Sequence, residues 1–162
     1  VTAPAVELRE TAPGDLPSLF RIQLDPEANR MAAFTVADPS DRAAFDARWE
    51  RFLGDPGIVS RTVLLGGEVV GSATVYPSHD DPGAREVTYW IAREHWGRGV
   101  AGRALAALLA EHPHRPLYAR AAKDNHGSLR VLEKCGFVRC GEDAGYAAAR
   151  GETVEEYLLV LC

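Results

Sequence analysis

Three cysteines, Cys135, Cys140 and Cys162, are all the thiols this 162-residue chain has. An odd number without close pairing builds neither a disulfide framework nor a zinc spacing, so they read as small buried or incidental side chains. Basic residues are short as well: 18 Lys and Arg face 23 Asp and Glu, a net charge of −5. That deficit speaks against a nucleic-acid partner, which selects a basic face, and against a polybasic membrane anchor. No apolar run approaches the roughly 18 residues of a membrane span. The opening residues VTAPAVELRE lack both the basic and the apolar region of a signal peptide. A cytoplasmic protein is the expectation. Of the five histidines, His112 and His114 sit beside Pro113 and Pro116 in a loop with no third ligand nearby, so no metal is expected.

What is present suits one domain over residues 1–162. An apolar fraction of 46% at this length buries a core without disulfides or metal. Val6 to Arg9 reads as a strand, and Asp15 as the N-cap of a helix through Leu16, Leu19, Phe20 and Leu24. Residues 25 to 40, punctuated by Pro26 and Pro39, read as loop or broken helix. Phe45, Trp49, Phe52 and Leu53 then repeat at helical spacing, from a start at Ser40 or Asp41. Ser60–Leu65 and Glu68–Tyr76 flank Gly66-Gly67, a hairpin signal. A polar loop from Ser78 to Ala84 leads to a strand at Glu86–Ile91. Beyond the glycines at 97, 99 and 102, Leu105, Leu108 and Leu109 mark a helix ending before Pro113. Leu117–Ala121 is a strand, Ser128–Lys134 a helix closed by Gly136, and Phe137-Val138 and Tyr157–Leu161 the last strands. Gly141 to Thr153 reads as a long connection, a loop at a homodimer contact or a lid over substrate; periodicity leaves both open. A meander followed by strand–helix–strand–helix–strand is a mixed α+β arrangement, one sheet carrying helices.

The chemistry concentrates after Glu86–Ile91. There a strand ends and Gly97, Gly99 and Gly102 lead into a helix, so several N–H groups face one point with few side chains in the way. The helix start adds unsatisfied donors and partial positive charge, and Arg98 and Arg103 add formal charge. This is a pyrophosphate cradle. Gly97–Gly102 also satisfies GxGxxG, but the dinucleotide version follows the first strand of a βαβ unit and has an acid roughly 20 residues on. Here a meander precedes it, and residues 115 to 123 offer Arg115, Arg120 and Lys123. An NAD(P) oxidoreductase is therefore disfavoured. No Gly-Lys-Ser/Thr follows, which removes the P-loop.

Trp96-Gly97-Arg98-Gly99-Val100-Ala101 resembles the Q/R-x-x-G-x-G/A turn of the GNAT superfamily of N-acetyltransferases, with Trp96 where Gln or Arg is commonest. Asn125-His-Gly-Ser128 through Glu133-Lys134-Cys-Gly136-Phe137 resembles that family's N-x-x-S/A-x-x-x-x-E-K-x-G-F signature. Tyr89-Trp90-Ile91 together with the Trp96 turn is most similar to the ribosomal-protein N-terminal acetyltransferase branch. The likeness runs from about residue 60 to the end; the first 55 residues match only in layout. It implies a mostly antiparallel sheet of about seven strands, flanked by about four helices and splayed into a V between strands four and five. It also implies acetyl-CoA as cosubstrate and a primary amine as acceptor, a protein N-terminus or a small molecule. Tyr89, Trp90 and Ile91 would bond the pantetheine arm, the amides of Gly97, Arg98, Gly99, Val100, Ala101 and Gly102 the pyrophosphate, and Asn125 the pantetheine.

Acyl transfer to an amine needs a proton taken from nitrogen and one returned to sulfur. Many GNAT members use a Tyr as the acid, where this chain has Leu132. Ser128 is the implied substitute; its other reading is a small residue in a first helical turn. Glu86 is the candidate base, acting through water, against a solvated strand-end carboxylate or no dedicated base. Trp49 and Phe34 are candidate acceptor-pocket residues, with core as their other and commoner reading. Asp25, Glu27, Asp38 and Asp41 hint at a cationic acceptor. The alternative to an enzyme is a non-catalytic CoA-binding sensor, motivated by Leu132.

Overall fold

The structure is a computed structural model describing residues 4–162. Its elements in chain order are β1 (Val6–Glu10), α1 (Leu16–Gln23), α2 (Pro26–Ala32), α3 (Arg42–Gly54), β2 (Val59–Leu65), β3 (Glu68–Pro77), β4 (Arg85–Ile91), α4 (Val100–Glu111), β5 (Leu117–Ala122), α5 (His126–Lys134), β6 (Val138–Ala147) and β7 (Glu152–Leu161). The strands form one seven-stranded sheet, ordered β1-β2-β3-β4-β5-β7-β6. Every pairing is antiparallel except β4 with β5, which run parallel. No helix among the described residues is long and apolar enough to cross a membrane.

Period-two alternation assigns the sheet's two faces. Val87 and Ile91 of β4, with Leu117 and Ala119 of β5, pack under Leu105 and Leu108 of α4 and Leu129 and Leu132 of α5. Each such buried aliphatic contributes about 1.5–3 kcal/mol. Leu132, where a family tyrosine would stand, is thus core. On the opposite face α1 and α3 bring Leu19, Phe45 and Trp49 together, with Phe20 edge-on to Phe45 at 5.2 Å.

Four details differ from the expectations. Pro26–Ala32 is a helix in its own right, giving five helices, because the Asp25 carboxylate caps Ala28 N–H at 2.8 Å and Pro26 fits the first turn. Asp15 stands before α1 without capping it; its carboxylate turns back to Arg9, Thr62 and Ala12 N–H. α5 begins at His126, capped by Asn125. Gly141–Thr153, expected as a loop, lies mostly in a β-hairpin, with Gly141↔Leu158 through Ala147↔Glu152 in register and a bulge at Cys140. β6 is an edge strand, exposed along most of its length, so it lacks the alternation that reveals a half-buried strand.

Candidate active site

Strands β4 and β5 keep register only at Arg85↔Leu117 and Glu86↔Tyr118. Beyond Glu86 they part, and the β5-facing edge of β4 lacks a strand partner through Ile91. A cleft of about 730 Å³ opens there. Its walls include Tyr89, Trp90 and Ile91 of β4, Gly97, Gly99, Val100 and Ala101 of the turn into α4, and Asn125 and Ser128 at the start of α5. The sequence thus identified nine of the residues that meet in it.

Gly97 and Gly99 have φ of 74° and 75°, the left-handed region open to glycine, and a Cβ at either would meet nothing within 4 Å. Gly99 caps α4 without a side chain, and the first intrahelical bond runs from Arg103 N–H to Gly99 O. The amides of Val100, Ala101 and Gly102 are therefore left without helical partners. Val100 and Ala101 line the cleft, so donors and dipole face it. The Trp96 side chain serves as a fastener: its Nε1–H donates to Ile91 O at 2.8 Å, pinning the turn to the end of β4. Arg98 and Arg103 lie off the cleft wall, and Arg103 donates to Pro4 O. The cations that do line the cleft are Arg130 and Lys134 of α5, neither ion-paired among the described residues. Their i, i+4 spacing on a helix starting at the cleft was the signal that could have found them.

The cleft is roofed by α2. Asn125 is held at both ends, accepting from Ser128 N–H and donating to Met31 O. Arg150, from the β6–β7 turn, reaches Arg30 O at 2.7 Å and Asp124 at 2.8 Å, tying α2 to the start of α5. The next residue after α2, Ala33, is fully buried with φ 66° and ψ −57°, a strained γ-type turn that redirects the chain toward Phe34.

At the bottom of the V, Tyr89 Oη lies 2.8 Å from Ser128 Oγ. Burial pushes the Tyr89 phenol up to about 12, against the hydrogen bond with Ser128. It is a phenol that stays protonated at neutral pH. The sequence supplied Tyr89 only as backbone; that its ring reaches α5 depends on how α5 crosses the sheet.

Glu86 faces the other side, 4% exposed and bordering neither cavity. It accepts from Arg120 Nε at 3.2 Å, and the same guanidinium pairs with Asp80, Asp143 and Glu156. Four carboxylates surround one cation. Burial raises the Glu156 carboxyl against the pull of Arg120, and burial also raises Tyr76, the cross-strand partner of Glu86, to about 12.

A second cavity, about 410 Å³, lies between α1, α3 and the β3–β4 face. Phe34 and Trp49 both line it, Trp49 also belonging to the apolar cluster of that face. It shares Tyr89 and Trp90 with the cleft, so the two spaces meet across the C-terminal half of β4. The acidic residues suspected of facing an acceptor do not line it. Asp25 caps α2 and pairs with Arg93, Glu27 pairs with Arg30, Asp38 holds Ser40 and Asp41 caps α3.

Comparison with known proteins agrees with this architecture. The family model of the acetyltransferase (GNAT) domain matches residues 5–138. The uncharacterized N-acetyltransferase p20 of Bacillus licheniformis is 26% identical over 98 residues, 58% of this chain and 55% of that protein, so the match spans about half the relative's length. Spermidine N-acetyltransferase of Vibrio cholerae, crystallised with CoA and spermine, superposes with a TM-score of 0.82 at 17% identity, over 96% of this chain and 94% of that one. Ribosomal-protein-alanine N-acetyltransferase of Brucella melitensis gives 0.80 at 21%, over 96% and 98%. At such identities the structural likeness is one of fold, while the family match covers most of the sequence. With the split sheet and the glycine cradle in place, the chain belongs to the GNAT acetyltransferase family.

Proposed function

We propose that this chain transfers an acetyl group from acetyl-CoA directly to a primary amine, on a small molecule or a protein N-terminus. The observation that carries the reading is the junction of two cavities at Tyr89 and Trp90. One has a backbone anion cradle, the other an apolar wall. Acetyl-CoA supplies an activated thioester, whose acetyl carbon accepts the amine nitrogen as the carbon–sulfur bond breaks. The amides of Val100 and Ala101, with Arg130 and Lys134, would hold the pyrophosphate in the cleft, and the free edge of Tyr89–Ile91 would hold the pantetheine arm. The positive-φ glycines keep that approach clear.

The Tyr89–Ser128 pair holds a proton at the junction, where the leaving sulfur needs one. It stands in for the acid missing at Leu132, and it supports an enzyme over a silent CoA sensor. Glu86 faces the acceptor side of β4 beside Tyr76, which lines the acceptor cavity. In this reading Glu86 receives the amine proton through solvent, inside a cluster rich in carboxylates.

Calorimetric titration with acetyl-CoA tests the cradle. Gly99→Asp places a carboxylate where the anion would sit, and Asp is among the side chains that tolerate the left-handed region. Binding by wild type, its loss in Gly99→Asp and its retention within about tenfold in Gly99→Asn are expected, a tenfold change being about 1.4 kcal/mol. Equal binding by wild type and Gly99→Asp would remove the cradle assignment.

A further inference from the structure

Among the described residues, Arg48 is the one charged side chain on the acceptor cavity's wall, and no Asp or Glu lines it. Midway along α3, the guanidinium lies over the Phe45 ring, 5.7 Å from its centroid, half-buried and without a carboxylate partner among the described residues. Burial, helped by neighbouring Arg51, makes that charge less favourable than in water. A cation held in this way is normally paired.

The neutral polar side chains on the wall do not supply a partner for that charge. Gln23 and Asn29 spend their amide N–H groups on Phe20 O and Pro39 O, and on Gln23 O and Asp25 O, and Ser72, Thr74, Tyr76 and Thr88 bring uncharged hydroxyls. What the cavity offers is one guanidinium in a largely apolar chamber, and what it lacks among the described residues is an anion to pair with it. A polyamine would bring more cations to Arg48 and no anion.

We propose that the acceptor amine carries its own carboxylate and an apolar body, the chemistry of a hydrophobic α-amino acid, with the carboxylate bound by Arg48. This rests on the acetyltransferase reading and narrows it. Arg48 is a binding residue, and the apolar wall around it orients the rest of the ligand. Such a ligand gives Arg48 a bidentate partner, and its apolar side chain fills space walled by Leu19, Phe45 and Phe52.

The experiment pairs each acid with its decarboxylated counterpart: leucine with isopentylamine, phenylalanine with phenethylamine, and spermidine as a polycationic control. CoA-thiol release is followed with saturating acetyl-CoA, and acetyl-CoA affinity is measured by calorimetry in the same preparations. For at least one pair, wild type is expected to favour the acid at least tenfold in kcat/KM and to leave spermidine untouched. Arg48→Gln should erase that preference through KM without altering acetyl-CoA affinity, and Arg48→Lys should restore part of it. Equal or better turnover of the decarboxylated amines, preference for spermidine, no turnover of any acid, or an undiminished preference in Arg48→Gln overturns the proposal. Acetyl-CoA binding separates the two failures. If it is intact, only the acceptor class is wrong; if it is absent from wild type, the acetyltransferase reading falls first.

Discussion

Gly71 is where a single methyl group would reach both cavities. It pairs with Ile91 across β3 and β4, beside a bulge at Val70. An alanine Cβ there would stand 2.0 Å from Trp90 O and 3.0 Å from both Trp90 C and Ile91 Cδ1. Carbon–oxygen contacts settle near 3.3–3.6 Å, so the strands must part by about 1.5 Å. The obstacle is backbone, held by register pairs from Gly71↔Ile91 to Pro77↔Arg85, and no rotamer change relieves it. Overpacking of this kind costs about 1–3 kcal/mol, and the adjacent bond from Ala92 N–H to Val70 O, 2.8 Å long, is worth about 1 more. Stiffening of the unfolded chain returns about 0.4–1. The net loss for Gly71→Ala is about 1–4 kcal/mol, which for a chain of this length lowers Tm by roughly 2–14 °C. Because the displaced carbonyl belongs to Trp90, shared by both cavities, acetyl-CoA affinity should fall about tenfold. Thermal melts with calorimetric titration check both numbers. A Tm within about 1 °C of wild type, with unchanged affinity, would refute the close approach and the role given to this stretch of β4.

Asp15 accepts from both Arg9 terminal nitrogens, at 2.6 and 2.7 Å, and from Thr62 Oγ1 at 2.9 Å. Arg9, outweighing desolvation, holds its carboxyl at about 2 against an ordinary 3.8. A depressed folded-state value stabilises above the unfolded one and fades as pH falls through the folded one. Asp15→Asn should therefore cost about 2 kcal/mol at pH 7, with urea-melt curves of the two proteins converging between about pH 4 and pH 2. Tyr89→Phe and Ser128→Ala should each lower kcat, by about 10²-fold or more for the phenol, while acetyl-CoA affinity stays within about threefold; wild-type kcat in both would sink the hydroxyl-pair assignment. Glu86→Gln should lower kcat/KM about tenfold while acetyl-CoA affinity by calorimetry stays within about threefold. Wild-type kcat/KM in Glu86→Gln would remove it as the base.

The glycine turn was legible in the sequence because its geometry is local: glycines, a strand before them and a helix after them suffice to leave helix-start amides facing a cleft. The meander was legible for the same reason, through Gly66-Gly67 and alternation. Residues whose meaning depends on assembly were not. Arg48 falls between Phe45, Trp49 and Phe52 on a helix whose apolar spacing explains itself, so a charge there reads as solvent-facing until α3 lies on β3 and β4. Tyr89 reads as one more strand residue until α5 brings Ser128 to its hydroxyl. The β6–β7 hairpin is exposed along β6 and bulged at Cys140, which removes the alternation by which strands are recognised.

The division of labour along β4 follows from the two-residue period of a strand and one interrupted ladder. Val87, Tyr89 and Ile91 face α4 and α5, which puts the phenol beside Ser128. Glu86, Thr88 and Trp90 face α1 and α3, where the acceptor cavity lies. The edge toward β5, free after two register pairs, is left for a ligand's hydrogen bonds. One short strand thus presents a phenol to one side, a cavity wall to the other and an open backbone edge between them. Had β4 and β5 stayed paired to Ile91, that edge would be spent on β5 and the cleft would close. The same residues could then bind an amine but not acetyl-CoA. In the proposed reaction, the early end of the β4–β5 ladder, more than any single side chain, is therefore what would bring two substrates to Tyr89 and Trp90. A direct transfer needs no further carrier on the enzyme, and none of the three cysteines lines either cavity; Cys135, the least exposed, is pushed up by burial away from thiolate.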